Sequence, residues 1–266
     1  MKLLVKLMYV GSAFCGYQAQ NDEAAPKPSV QRVLTRAFSE CLGFDCAVTG
    51  CSRTDAGVHA TGFCAAVEPR EARGDRWLPI PVGRVHRAMD RFLPPEIAIA
   101  GEAAVGDDFH PRYSALGKEY RYRMTDAPWR DPFSARVAWR LPRPLPPDGT
   151  DRMNRAAAHL LGTHDFTSFM AAGSKITDAT RTLSALEVRR EGESITLFAA
   201  ADGFLYHMVR ILAGTLADCA YGTLEPEDFQ AILAARDRSR AGRTAPAHGL
   251  CLTRVDYGRP IDWLCL

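Results

Sequence analysis

The sequence has 266 residues, 47% of them hydrophobic and 24% charged, the balance of an ordinary globular protein with chain enough for a sizeable core. Its formal net charge of +2 is too mild to argue a nucleic-acid partner by itself, so any basic surface has to be local. No apolar run approaches the roughly 20 residues that a membrane span needs. Residues 1–6 are basic and apolar, but Lys6 breaks the run. The segment therefore reads as a first strand rather than a signal peptide, and the expected compartment is the cytoplasm. Eight cysteines are too sparse for a disulfide scaffold. Cys41, Cys46, Cys51 and Cys64 lack the paired spacing of zinc sites and read as small apolar fillers. No metal is expected.

In chain order, residues 3–9 alternate, with Leu3, Val5, Leu7 and Tyr9 facing one way and Lys6 the other, which predicts a strand. A loop bearing glycine and proline follows over 11–28. Ser29 is placed to cap a helix whose apolar stripe is Val30, Val33, Leu34, Ala37, Phe38, Cys41 and Leu42. Short strands are expected at 46–50 and 62–67, flanking a polar loop over 51–61. A helix is expected over 82–92, ended by Pro94-Pro95, then a strand over 97–104. Residues 118–125 alternate again, with Tyr120, Tyr122 and Met124 on one face. Residues 142–147 read as a proline-rich linker or loop. Met153, Ala156, Ala157, Leu160 and Leu161 make a helical stripe. Strands at 183–190 and 194–201 suit a hairpin. Helices are expected over 204–221 and 226–235, and a last strand over 250–257.

Strands and helices thus alternate in each half, which fits two α/β units sharing an extended sheet. The sequence carries no literal repeat. The boundary is expected near residue 105, giving an N-terminal α/β half, 1–105, with the polar loop and a C-terminal α/β half, 106–266.

The densest polar segment is Gly50-Cys51-Ser52-Arg53-Thr54-Asp55-Ala56-Gly57-Val58-His59-Ala60. Loops held by strands are where catalytic groups tend to sit. Arg53, two residues from Asp55, offers a cation, which suits a nucleophile or base better than a general acid. The plainer reading is an Asp-Ala-Gly turn solvated by Arg53. His59, His110, His159 and His164 form no H-E-x-x-H pattern, and neither a G-x-S-x-G elbow, a P-loop nor G-x-G-x-x-G occurs. Nothing therefore points to histidine or nucleotide-cofactor chemistry. Arg84, Arg87 and Arg91 recur at i, i+3 and i+7. On a helix they make one positive edge, either for phosphate contact or as a solvated face. Arg236, Arg238, Arg240 and Arg243 form a second basic cluster. Tyr120 and Tyr122 suit a core, although a tyrosine face beside a basic one also suits base stacking.

The nine residues from Ser52 to Ala60 resemble the signature of the tRNA pseudouridine synthase A family. Tyr9-Val10-Gly11-Ser12-Ala13-Phe14-Cys15-Gly16-Tyr17-Gln18-Ala19-Gln20 is similar to that family's first motif. Asp107-Asp108-Phe109-His110-Pro111-Arg112-Tyr113-Ser114-Ala115 with Lys118-Glu119-Tyr120-Arg121-Tyr122 resembles its central one. Gly162 with Asp165-Phe166-Thr167-Ser168-Phe169, Arg181-Thr182, His207-Met208-Val209-Arg210 with Gly214, and Gly249-Leu250 follow in the family's order, so the likeness spans nearly the whole chain.

The resemblance implies two similar ferredoxin-like or RRM-like halves sharing a mainly antiparallel sheet with flanking helices and a central cleft. It implies Asp55 as the catalytic carboxylate, with Arg53 pairing with it and helping to hold the target nucleotide out of the stack. Tyr120 would stack on the flipped uracil and is the candidate base for the C5 proton. Arg210 would support the aspartate or a phosphate, and Leu250 would wall the uracil pocket. His207, Gly57 and His59 fall in the matched motifs as substrate-binding candidates, while Arg84, Arg87 and Arg91 are RNA-binding candidates by their spacing. A homodimer would bind the anticodon stem-loop of tRNA and isomerise uridines at positions 38 to 40, without metal or cofactor. The chain departs from the family's usual residues at Val10, Tyr17, Ala19 and Asp90. All four lie outside the catalytic loop and are expected to bear on RNA contacts. Two other readings are a synthase acting on another RNA or on a free uridine nucleotide, and a non-catalytic RNA-binding module.

Overall fold

Alternating apolar residues set most of the strands. The structure of the protein, a computed structural model, describes residues 1–19, 26–74, 77–173 and 176–265. Gln20, the last residue of the first motif, lies outside them. The strands and helices in chain order are β1 (Lys2–Tyr9), α1 (Val30–Leu42), β2 (Cys46–Gly50), β3 (His59–Pro69), α2 (Val85–Met89), β4 (Ile97–Val105), β5 (Gly117–Thr125), β6 (Trp139–Arg140), α3 (Gly149–Ala158), β7 (Gly162–Asp165), β8 (Thr180–Glu191), β9 (Ser194–Ala201), α4 (Met208–Ala220), α5 (Asp228–Ala235), β10 (Leu250–Asp256) and β11 (Leu264–Cys265).

The chain forms two compact units, Met1–Leu116 with Leu252–Leu266, and Gly117–Cys251. Each is a mainly antiparallel sheet with helices against it, so the mixed α/β class is as expected. The division falls at 116/117 rather than near 105, because the segment after β4 is tied to the first unit. Lys2 Nζ donates to Phe109 O at 3.2 Å and Tyr257 Oη to Pro111 O at 3.0 Å. The Phe109 and Tyr257 rings are 5.0 Å apart, and Leu116 N donates to Asp256 O at 2.8 Å.

In the first unit the strand order is β11–β4–β1–β3–β10, with β2 beside β3. β1 is central, antiparallel to both β3 and β4, and Leu3, Leu4, Val5 and Leu7 are fully buried. The burial of Leu4 shows that both faces of this strand are covered, where the alternation alone indicated one. α1 starts at Ser29, whose hydroxyl accepts from Arg32 N at 3.3 Å. It ends at Gly43, in the left-handed region at φ 77°, where glycine carries no side-chain penalty.

The helix expected over 82–92 contracts to α2, five residues long. Its start is set by a partner distant in sequence, the buried carboxylate of Glu102. That group accepts from Gly83 N at 2.7 Å, Val85 N at 3.2 Å and His86 N at 2.9 Å, and lies 2.7 Å from His86 Nδ1. Arg84 is thus the cap and Arg91 lies beyond the helix, so the three arginines do not share a helical edge, although all three are exposed.

In the second unit the order is β5–β9–β8–β7, with the short β6 parallel to β5. β8 and β9 make the expected hairpin, while β6 and β7 are too short for a periodic signal. Every residue of α4 except Arg210 and Asp218 is buried, so this helix is the spine of the unit. It begins at Met208 rather than at 204.

Candidate active site

In the first unit the polar loop between β2 and β3 is held by the turn that follows β1. Tyr9, the last residue of β1, and Thr54 join through their hydroxyls at 2.8 Å in a buried setting. Tyr17 N donates to Thr54 O at 3.0 Å, and Val58 N to Asp55 O at 3.1 Å. Asp55 is half-buried at the head of this turn, and Gly57 carries its positive φ, 85°. Two glycines of the first motif let backbone pass against backbone. A Cβ at Gly11 would lie 1.9 Å from Val58 O, and one at Gly16 would lie 2.9 Å from Thr54 O.

The site candidates of this unit therefore share one loop but have different surroundings. Arg53 is exposed and makes no ion pair among the described residues, so the expected pairing with Asp55 is not made here. His59 starts β3, is 7% exposed, and its Nδ1 accepts from Gly11 N at 3.1 Å. The ring thus ties the loop to the turn after β1.

Tyr17 corrects another expectation. It is 3% exposed and stacked on Phe63 at 4.3 Å, beneath the loop rather than at an RNA-facing surface, and burial pushes its phenol up. Val10, Ala19 and Asp90 are exposed, as RNA contacts would have to be. Tyr9, Thr54, Gly11 and Gly16 escaped the sequence reading as functional residues. The only available signal was that they fall within matched motifs.

In the second unit, Tyr120 on β5 is 7% exposed and meets Phe204 edge-on at 5.0 Å. Arg210, one of the two less buried positions of α4, donates from Nε to Ala245 O at 2.8 Å, and Ala245 N returns a bond to Arg210 O at 3.0 Å. The chain over 241–246 is strapped along α4. Gly242 N donates to Thr215 Oγ1 at 3.0 Å, Arg243 pairs with Asp218 at 3.3 Å, and a Cβ at Gly214 would lie 1.9 Å from Arg243 O. The strap ends where Tyr122 Oη donates to Pro246 O at 2.7 Å, and burial pushes that phenol up. Leu250, 6% exposed, opens β10 directly after it.

His207 caps α4 at φ 60° and ψ 9°. A left-handed histidine is uncommon, and such strain gathers at functional sites. Among the described residues no group of three His, Cys, Asp or Glu side chains is arranged to hold a metal ion. No helix among them is long and apolar enough to cross a membrane.

A family model described as tRNA pseudouridine synthase matches residues 156–258. The tRNA pseudouridine synthase A of Shouchella clausii (strain KSM-K16) is 39% identical over 260 residues, covering 98% of this chain and 95% of that one. That of Moorella thermoacetica is 43% identical over 255 residues, covering 96% and 99%, and that of Bacillus subtilis (strain 168) 37% over 257 residues, covering 97% and 99%. The chain belongs to the tRNA pseudouridine synthase A family.

Proposed function

We propose that this chain isomerises uridine to pseudouridine in tRNA, with Asp55 as the catalytic carboxylate. The observation that carries the reading is the placing of Asp55. It sits half-buried between Thr54, bonded at both its hydroxyl and its carbonyl, and a turn closed by Val58 N. A carboxylate on so constrained a loop is already oriented before substrate arrives. The reaction breaks the bond between uracil N1 and C1′, turns the base, and forms a bond from C5 to C1′ as the C5 proton leaves. Nothing is oxidised and no group is imported. Asp55 can serve by attacking C1′ to give a covalent intermediate, or by taking the 2′ proton to give a glycal.

The uridine has first to be extruded, at a cost of a few kcal/mol. Stacking on Tyr120, worth roughly 1–3 kcal/mol, offsets much of this. The Tyr120 phenol takes the C5 proton and Leu250 walls the uracil. Arg53, exposed on the same loop as Asp55, helps hold the nucleotide out of the stack. Arg210 and His207 meet the RNA backbone, and Arg84, Arg87 and Arg91 supply further phosphate contacts. The substrate is the anticodon stem-loop, at uridines 38 to 40, and the working form is a homodimer in the cytoplasm.

Purified protein incubated with unmodified tRNA, followed by pseudouridine mapping, tests this. Conversion confined to the anticodon stem-loop is expected. Conversion only in another RNA or in free nucleotide would move the substrate, and tight binding without turnover would make the chain an RNA-binding module.

A further inference from the structure

Two tyrosines of the first motif pack on one ring of β3. Tyr9 lies 5.6 Å from Phe63 and Tyr17 lies 4.3 Å from it. Both are buried, yet their hydroxyls differ. Tyr9 Oη bonds Thr54 Oγ1 at 2.8 Å, whereas Tyr17 Oη is buried with no hydrogen-bond partner among the described residues. Thr54 is the residue before Asp55, so whatever fixes Thr54 fixes the peptide that carries the carboxylate. On the other side, the turn is closed by Val58 N on Asp55 O, at 3.1 Å. Backbone packing against Gly11 and Gly16 closes one side of the loop, and Tyr17 N holds the Thr54 carbonyl at 3.0 Å. The hydroxyl pair adds a side-chain anchor, tying Thr54 to the last residue of the central strand.

We infer that Tyr9 and Thr54 are positioning residues for the aspartate. Their hydroxyl–hydroxyl bond holds the Asp55 carboxylate in its reactive place, and the Tyr17 hydroxyl has no such function. This rests on the reading of Asp55 as the catalytic group. A positioning bond acts on the reacting geometry and not on the hold over tRNA, so its loss appears in kcat. Misplacement of a reacting group by about 1 Å costs up to ~10²-fold.

The test uses the full chain with four substitutions, Tyr9→Phe, Tyr17→Phe, Thr54→Val and Thr54→Ser. Pseudouridine formation in tRNA is resolved into kcat and KM, with thermal melts alongside. Tyr9→Phe and Thr54→Val should each lower kcat about tenfold or more with KM within about twofold, and the double variant should be no worse than either, as for two ends of one bond. Thr54→Ser keeps the hydroxyl and should stay within about threefold of the parent. Tyr17→Phe deletes an unpartnered buried hydroxyl and should keep kcat with an equal or higher Tm. Wild-type kcat in Tyr9→Phe or Thr54→Val overturns the inference. So does an equal fall in Tyr9→Phe and Tyr17→Phe, which would mean that the effect does not depend on the bond between Tyr9 and Thr54. Should Tyr9→Phe fail to fold, the Thr54→Val and Thr54→Ser pair decides. An inactive parent, or an active Asp55→Asn, would instead overturn the reading of Asp55. An active parent with a dead Asp55→Asn and a normal Tyr9→Phe overturns this inference alone.

Discussion

Gly11→Ala is the smallest change that should disturb the aspartate loop without touching it covalently. The added methyl would lie 1.9 Å from Val58 O and 2.4 Å from Val58 C. Both are backbone atoms, so no side chain can swing aside, and either the turn Gly11–Ala13 or the loop over 54–58 must shift. Overpacking of this kind costs about 1–3 kcal/mol. If the turn retreats, the bond from Gly11 N to His59 Nδ1 is also lost, at about 0.5–1.5 kcal/mol. For a chain of this size that amounts to a fall in Tm of roughly 3–15 °C. The more telling readout is kcat, expected to fall at least about tenfold because the loop that moves carries Asp55.

Gly43→Ala is the control. Nothing lies within 4 Å of a Cβ there, but φ is 77°, so it costs about 1–2 kcal/mol of left-handed strain and should leave kcat unchanged. Melts and single-turnover rates for both variants decide the matter. A Gly11→Ala protein with a lowered Tm but the parental kcat would refute the idea that the turn after β1 sets the position of Asp55.

Further outcomes follow from other parts of the molecule. Burial alone would raise the pKa of Glu102, but bonds from His86 N, the His86 ring, Gly83 N and Val85 N bring it below the usual glutamate value. A depressed pKa stabilises the fold above the unfolded value, about 4.3, and that contribution is lost as pH falls through the folded one. Glu102→Gln should therefore lower Tm at neutral pH and flatten its decline below about pH 5; parallel Tm–pH curves would contradict this. Arg87→Ala should reduce the dependence of log K on log salt for tRNA by about 0.7, one single-strand phosphate contact, whereas an unchanged slope would leave this face merely solvated. Tyr120→Phe keeps the ring and loses the phenol, so release of tritium from C5-labelled uridine should slow by about 10² to 10⁴-fold; release at the parental rate would leave Tyr120 as a stacking residue only.

What could be foreseen from sequence was whatever depends on near neighbours. The Ser29 cap and the stripe from Val30 to Leu42 lie within one stretch, and α1 covers that stripe. The hairpin of β8 and β9 follows from alternation on either side of Gly192. Distant partners account for the misses. Glu102 rewrites the start of α2 from across the unit, which is why Arg84 and Arg91 do not extend a helix. Tyr17 reads as a loop residue until Phe63 is placed beneath it. The bond between Tyr9 and Thr54 joins residues 45 apart in sequence, and no local pattern announces it. The motif containing Asp55 was legible as a polar loop between strands, but the grip on its flanks became visible only in three dimensions.

The central claim is that one carboxylate performs the chemistry. Its most direct test compares the parent with Asp55→Asn on unmodified tRNA, measuring both binding and pseudouridine formed. The substitution preserves shape and removes the charge. Turnover should vanish while the Kd for tRNA stays within about tenfold, roughly 1.4 kcal/mol. Substantial pseudouridine formation by Asp55→Asn would contradict the account.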